Sequence, residues 1–327
     1  MKYKFLFLFY LFSEIVLYTS ICPIVWGVPP TTPKIVFASR KNGNLDIYTM
    51  NPDGREQIQL TQHRSIDANP KWSPTGEHII FSSDRDGVLD LYLMRADGEN
   101  VQRFFAKSAY RRTPTWAPDG KWIAYSRWKH GKFSIYIAST DSKKEEQVAL
   151  GRQPAWSPDG TEIAFIEGGT REPKRISILN VHTRKHKFFF PPKAPSWVRY
   201  PAWASTGNVL AFSWLNRVEF RIEEFASETI YIVNRDGTNL QQILAEAGPP
   251  AVNPVWSPSG SDLLYERPDA ENHFQISKVA LNGNPPVQLT EPGLSHFLGD
   301  WFDPAYALPV SPQPQLLTTL WGKLKQE

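Results

Sequence analysis

Short apolar stretches, cut at close intervals by Gly, Pro, Asn and Asp, run along most of the chain. Residues 70 to 98, PKWSPTGEHIIFSSDRDGVLDLYLMRADG, show the pattern in full. A strand ending at Trp72 meets a Ser-Pro-Thr-Gly turn, where Pro and Gly supply the fixed and the positive φ of a tight turn. His78 to Ser82 is rich in strand formers, Asp84 to Gly87 reads as a loop, and Asp90 to Met94 alternates as a half-buried strand. Ala96-Asp97-Gly98 turns the chain again, and Asn100 to Phe105 is expected to form a fourth strand. Asp53-Gly54 and Asp236-Gly237 occupy the equivalent place in other segments, and no helical period appears.

The same unit recurs. It reads PKWSPTG from Pro70, PTWAPDG from Pro114, PAWSPDG from Pro154, PAWASTG from Pro201 and PVWSPSG from Pro254, with a degenerate copy, GDWFDPA, from Gly299. The tryptophans stand at 72, 116, 156, 203, 256 and 301, steps of 44, 40, 47, 53 and 45 residues. A period of ~40–50 residues with four short strands is that of a β-propeller blade. The segment Lys34 to Met50 begins at the second strand of a repeat, and the missing first strand appears around Trp301. One blade is therefore assembled from both ends of the chain, which closes the ring and removes exposed strand edges. The expectation is an all-β, six-bladed propeller of four-stranded antiparallel blades, with Trp72, Trp116, Trp156, Trp203, Trp256 and Trp301 packing between blades.

The repeat, P-x-W-S-P-D-G followed by I-A-F-S-S, D-I-Y, D-G and L-T, resembles the TolB-type propeller repeat, which is related in shape to WD repeats. The resemblance covers about residues 34 to 310. It implies a periplasmic, protein-binding propeller. It does not imply the whole TolB role in the Tol–Pal envelope system, because TolB carries an α/β domain before its propeller and none is expected here.

The ends refine the picture. Lys2 and Lys4 precede an apolar run from Phe5 to Phe12, and apolar residues resume from Ile15 to Trp26 after Glu14. This reads as an export signal, residues 1–27, cleaved after Gly27. The rival is an uncleaved anchor, which Glu14 disfavours. The propeller then spans 28–310 and a tail 311–327, and a periplasmic or secreted location follows. Cys22 is the only cysteine, so a cleaved chain has no disulfide and no cysteine nucleophile or zinc ligand.

Charge separates the blades. Residues 101 to 200 hold 19 Lys and Arg against 8 Asp and Glu, while the whole chain has 36 against 33. In antiparallel blades, the loops between second and third strands and the links between blades share one face, where irregular, ligand-binding loops collect. Arg111, Arg112, Arg152, Arg199 and Tyr200 fall in the links on that face. Arg127, Trp128, Lys129 and His130 are expected in a loop between second and third strands on that face, with Arg171 and Arg175 nearby, and Trp197 stands outside the repeat motif. This rim is expected to bind a protein or peptide partner of the cell envelope, acidic in character. The small net charge and the export signal argue against nucleic acid.

The reading is a non-enzymatic scaffold without cofactor or metal. The alternative is a lyase or hydrolase acting on acidic sugars, with His63, Asp67, Asn69 and Tyr200 as the nearest candidate catalytic set. Asp84, Asp86 and Asp90 faintly resemble a calcium loop, but the ligand series is incomplete and Asx turns explain them. His182 and His186 fall where their spacing does not converge on a metal. No Gly-x-Ser-x-Gly elbow or phosphate-binding glycine loop occurs.

Overall fold

A computed structural model describes residues 27–41, 43–168, 174–190, 197–215, 228–245 and 249–309. The proposed signal before Gly27, Arg171 and the tail 311–327 lie outside these residues. Six four-stranded antiparallel sheets are present, and five of them use consecutive strands. The sixth joins His296–Phe302, near the end of the described chain, to Lys34–Ser39, Asp46–Met50 and Ile58–Gln59. We call this sheet blade 1. The ring is closed by pairing Ile35 with Trp301 and Ala38 with Phe297.

The innermost strands of blades 2 to 6 are Asp67–Trp72, Arg111–Trp116, Arg152–Trp156, Trp197–Trp203 and Val252–Trp256. The second and third strands are apolar on both faces, because each blade is sandwiched between two others. In blade 1, Val36, Ala38 and Ile47 pack toward Trp72 and Ile79 of blade 2, while Ile35, Phe37 and Tyr48 pack toward Val255 and Leu264 of blade 6. The strand period of two thus sends alternate residues into two inter-blade cores.

The outermost strands fall short of the expectation. That of blade 2 covers only Gln102–Arg103, not Asn100 to Phe105. Phe104 and Phe105 leave the ladder and are buried against Ile80 and Tyr125. Burying two aromatic rings outweighs the few ladder bonds an edge strand would add.

The Asp-Gly turns lock neighbouring blades. Gly54 has φ +86°, and a Cβ there would lie 2.3 Å from the Leu289 carbonyl oxygen of blade 6. At Gly98, with φ +87°, a Cβ would lie 2.6 Å from the Leu60 carbonyl oxygen of blade 1. Glycine is required at both for its backbone freedom and its missing side chain.

Candidate binding site at the channel mouth

The six innermost strands surround a channel of about 330 Å³. Each strand carries a β-bulge in which two residues face one on the second strand. The first bulge residues are Asn69, Thr113, Gln153, Tyr200, Asn253 and Leu298, and all line the channel. Five of them are left-handed, with φ between 50° and 55°, and each precedes the proline of the repeat. A non-glycine residue in this region costs on the order of 1 kcal/mol or more and persists only where its surroundings impose it.

Neighbouring blades impose it here. The N–H of Gln153 donates to Ser126 Oγ at 2.9 Å, that of Asn253 to Ser213 Oγ at 3.1 Å, and that of Leu298 to Glu266 Oε1 at 2.8 Å. In each case the acceptor stands on the second strand of the preceding blade. Ile166 occupies that position in blade 4, and the Tyr200 N–H turns instead to Gln153 Oε1 at 3.3 Å.

One side of the channel is acidic. Glu266 accepts from both Asn253 Nδ2, at 2.7 Å, and Leu298 N–H through Oε1, and burial pushes its pKa up to about 7. Burial also holds Asp300 above the usual carboxylate range, although Lys71 Nζ stands 4.0 Å away.

The other side is cationic. Arg152, partly buried, has its pKa lowered by desolvation and then by the charges of Arg112 and Arg199 on the neighbouring blades. Arg199 is paired with Glu228, and Arg112 lies over the Phe133 ring at 4.8 Å. Lys174, which sequence reasoning missed, joins them with its Nζ 4.5 Å from the centre of the Trp197 ring. Burial, Arg152 and Arg199 bring its pKa down to about 8. Tyr200 also belongs here, its phenol pKa raised by burial and by Glu266 across the channel.

Arg111 does not belong to this rim. It is 1% exposed, donates to both Asp90 oxygens at 2.9 and 3.0 Å, and forks onto Glu145 at 2.8 Å. It joins the start of the third strand of blade 2 to the outermost strand of its own blade 3, out of reach of a partner. The pairing of Arg111 with Arg127 on adjacent strands puts its neighbour Arg112 on the opposite face of the sheet, toward Arg152 of the next blade.

Trp128 is 42% exposed and meets Phe133 edge-on at 4.7 Å. Arg127, Trp128 and the exposed Lys129 are not in a loop as expected but end the second strand of blade 3, paired to Lys132–Ser134, and only His130 with Gly131, both left-handed, makes the tight hairpin turn. Trp197 and Arg175 flank the same rim, Arg175 over the Phe188 ring.

The repeat tryptophans contact the preceding blade. Trp72 lies 5.5 Å from Phe302, and Trp256 packs with Ala211 and Leu263. Trp156, Trp203, Trp116 and Trp301 hold the corresponding places in four other inter-blade clusters. The indole N–H of Trp256 donates to Ala202 O at 3.0 Å, and that of Trp116 to Lys71 O at 3.3 Å.

The candidate catalytic set does not assemble. Asp67 is buried and clamped by both bonds of Arg85 at 3.0 Å, and His63 is exposed, its Nδ1 accepting from Ser65 N–H. Only Asn69 and Tyr200 meet at the channel. The loop aspartates make long-range bonds where Asx turns were expected: Asp84 accepts from Ile66 N–H, Asp86 from Arg103, and Asp90 from Arg111. His186 packs edge-on against Phe165, and His182 is exposed. Among the described residues, no three of His, Cys, Asp and Glu gather where they could hold a metal ion, and no helix is long and apolar enough to cross a membrane.

Residues 23–153 match the TolB beta propeller domain. Forty-five residues are 49% identical to the Tol-Pal system protein TolB of Geobacter sulfurreducens, 14% of this chain and 10% of that protein, so the match spans a tenth of the relative's length. The fold resembles TolB from Acinetobacter baumannii (TM-score 0.70, 14% identity, 84% of this chain and 68% of that one). It also resembles a putative TolB from Agrobacterium tumefaciens (TM-score 0.63, 16% identity, 86% and 100%). An oligogalacturonate lyase from Vibrio parahaemolyticus shares the ring more distantly (TM-score 0.52, 15% identity, 80% and 73%). Similarity at these identities speaks for the fold alone. Repeat motif and six-bladed ring agree with these findings: the chain is a six-bladed β-propeller that resembles TolB propellers, and its residues 23–153 match the TolB beta propeller domain.

Proposed function

We propose that this protein is an exported, non-enzymatic adaptor that holds an acidic protein or peptide partner of the cell envelope at its channel mouth. The observation that carries this reading is the convergence of Arg112, Arg152, Lys174 and Arg199 beside the channel, with Glu228 as the carboxylate paired among them. Such a surface raises the local concentration of an anionic partner and supplies charge-assisted hydrogen bonds on contact. The polar bulge residues beneath it offer donors and acceptors suited to a peptide backbone.

Capture from envelope extract by the full chain and by an Arg112→Glu, Arg152→Glu variant is the test. Arg199 is left intact because its loss would strand the buried Glu228. The native chain is expected to retain a partner that the variant loses. Equal capture by both would move the interface off this face, capture by neither would remove the adaptor reading, and cleavage of an anionic polysaccharide by the chain would replace it with an enzyme.

A further inference from the structure

The outer rim of the ring is made by the last strand of each blade, and these strands are unequal. In blades 1, 2, 5 and 6 the strand is two residues long: Ile58–Gln59, Gln102–Arg103, Gln241–Gln242 and Val287–Gln288. Blades 3 and 4 end in full strands of six and five residues, Glu145–Leu150 and His186–Phe190. Each stands last in its sheet, so its outward N–H and C=O groups meet no further strand among the described residues. A row of such groups is a template for another chain, and a two-residue strand is too short to offer one.

The two long edges differ in chemistry. On the edge of blade 3, Glu145 is engaged by Arg111 and Glu146 by Arg184, both at 2.8 Å. On the edge of blade 4, Phe188 is 60% exposed, with the Arg175 guanidinium 5.1 Å from the centre of its ring. Phe190 turns inward against Phe212 and Trp214 of blade 5, and Phe189 packs on the same cluster. Phe188 is thus the aromatic residue of this strand that faces out, and a cross-strand neighbour would take its ring from water.

Charge decides which strand can add. Lys185 and Lys187 are exposed, and no acid among the described residues pairs with either. Glu167, on the second strand of blade 4, accepts from Ser177 Oγ at 2.7 Å and stands 3.8 Å from His186 Nε2. A second copy of this chain would bring another pair of these lysines to the same edge, and lysine on an edge guards against such pairing. Phe188 pairs with Ser177 and Lys187 with Ile178, so their side chains stand on opposite faces of the sheet. A strand that fits must alternate, apolar opposite Phe188 and acidic opposite Lys187.

We infer that His186–Phe190 is a docking edge, at which a partner segment of alternating acidic and apolar residues adds as a further antiparallel strand of blade 4. The inference goes beyond the function proposed above, because the edge lies on the outer rim and uses neither Arg112 nor Arg152. Main-chain hydrogen bonds supply the affinity, and Phe188 and Lys187 set the register.

The probe is the acetylated, amidated heptapeptide Glu-Val-Glu-Phe-Glu-Val-Glu, titrated into the full chain by calorimetry at neutral pH. One peptide is expected to bind per chain. Phe188 is exposed, so Phe188→Ala keeps the fold, and it should bind about tenfold more weakly, as should Lys187→Glu. The Arg112→Glu, Arg152→Glu variant should bind as the native chain does. Two further peptides, N-methylated at the apolar residues or at the glutamates, separate main-chain pairing from charge. Only one edge of the added strand faces the blade, so one of them should match the parent and the other bind about tenfold more weakly. Equal binding by the two, or unchanged affinity in Phe188→Ala, overturns the docking edge. Loss of binding in Arg112→Glu, Arg152→Glu puts the peptide at the channel mouth and overturns it as well. A dimer of the native chain in sedimentation that Phe188→Ala abolishes overturns the acidic partner in favour of a second copy. Edge and mouth are read by different variants, so failure of the edge leaves the adaptor function standing.

Discussion

The Glu266 carboxylate accepts the backbone N–H of Leu298 at 2.8 Å, and so ties blade 6 to the strand that closes the ring. The same oxygen accepts from Asn253 Nδ2, so one buried atom holds two bulges in place. Ser126 likewise holds two bulge residues, the Gln153 N–H and Thr113 Oγ1 at 2.8 Å, and Ser213 accepts the Asn253 N–H. At the closure of the ring Glu266 stands in the strand position that serine holds at Ser126 and Ser213.

A pH dependence of stability follows from Glu266. An unfolded glutamate titrates near 4.3, whereas the folded group holds its proton to about 7. The folded state therefore binds more protons between these values, and stability falls as pH rises through the window and levels off above it. Glu266→Gln retains Oε1 for both hydrogen bonds and removes the titration. It should gain on the native chain from pH 5 to pH 8, by roughly 3 kcal/mol at the upper end. Urea unfolding at the two pH values measures the difference, and parallel curves would show that the carboxylate is not titrating in this window.

Arg111 and Arg112 should behave as opposites despite being adjacent. Removing the Arg111 side chain leaves Asp90 buried without its charge partner, so Arg111→Ala is expected to cost about 3–5 kcal/mol. Arg112→Ala should change stability by less than about 1 kcal/mol while weakening capture of the partner. Paired denaturation and capture measurements on the two variants check this, and equal destabilisation would contradict the placement of Arg112.

The repeat tryptophans should separate by their indole N–H. Trp256 donates to Ala202 O, whereas Trp156 packs in its cluster with no acceptor within bonding distance. Replacement by Phe removes similar apolar area at both sites, but at Trp256 it also leaves the Ala202 carbonyl unpaired. Trp256→Phe should cost about 1 kcal/mol more than Trp156→Phe in denaturant unfolding. Equal losses would mean that the hydrogen bond contributes nothing net.

The ring is legible in the repeat alone. Turn residues at fixed offsets, strands apolar on successive positions and a tryptophan every blade leave no other way to bury both faces of each sheet, and the strand missing from the first repeat is found around Trp301. The sequence also showed that positive charge collects in blades 3 and 4. Which of those charges reach the channel was decided only by the tertiary structure. Arg111 and Arg112 are neighbours in the chain, yet strand alternation and the acids brought by Asp90 and Glu145 bury one and leave the other at the mouth. Lys174, Glu266 and Asp300 carry no local signal, because their character comes from groups on other blades. The bulges left a trace, the residue before each repeat proline, but not its left-handed conformation. At Gln153, Tyr200 and Asn253 that conformation goes with an amide finding its acceptor on the preceding blade, and a pairing between distant strands is not written in either strand alone.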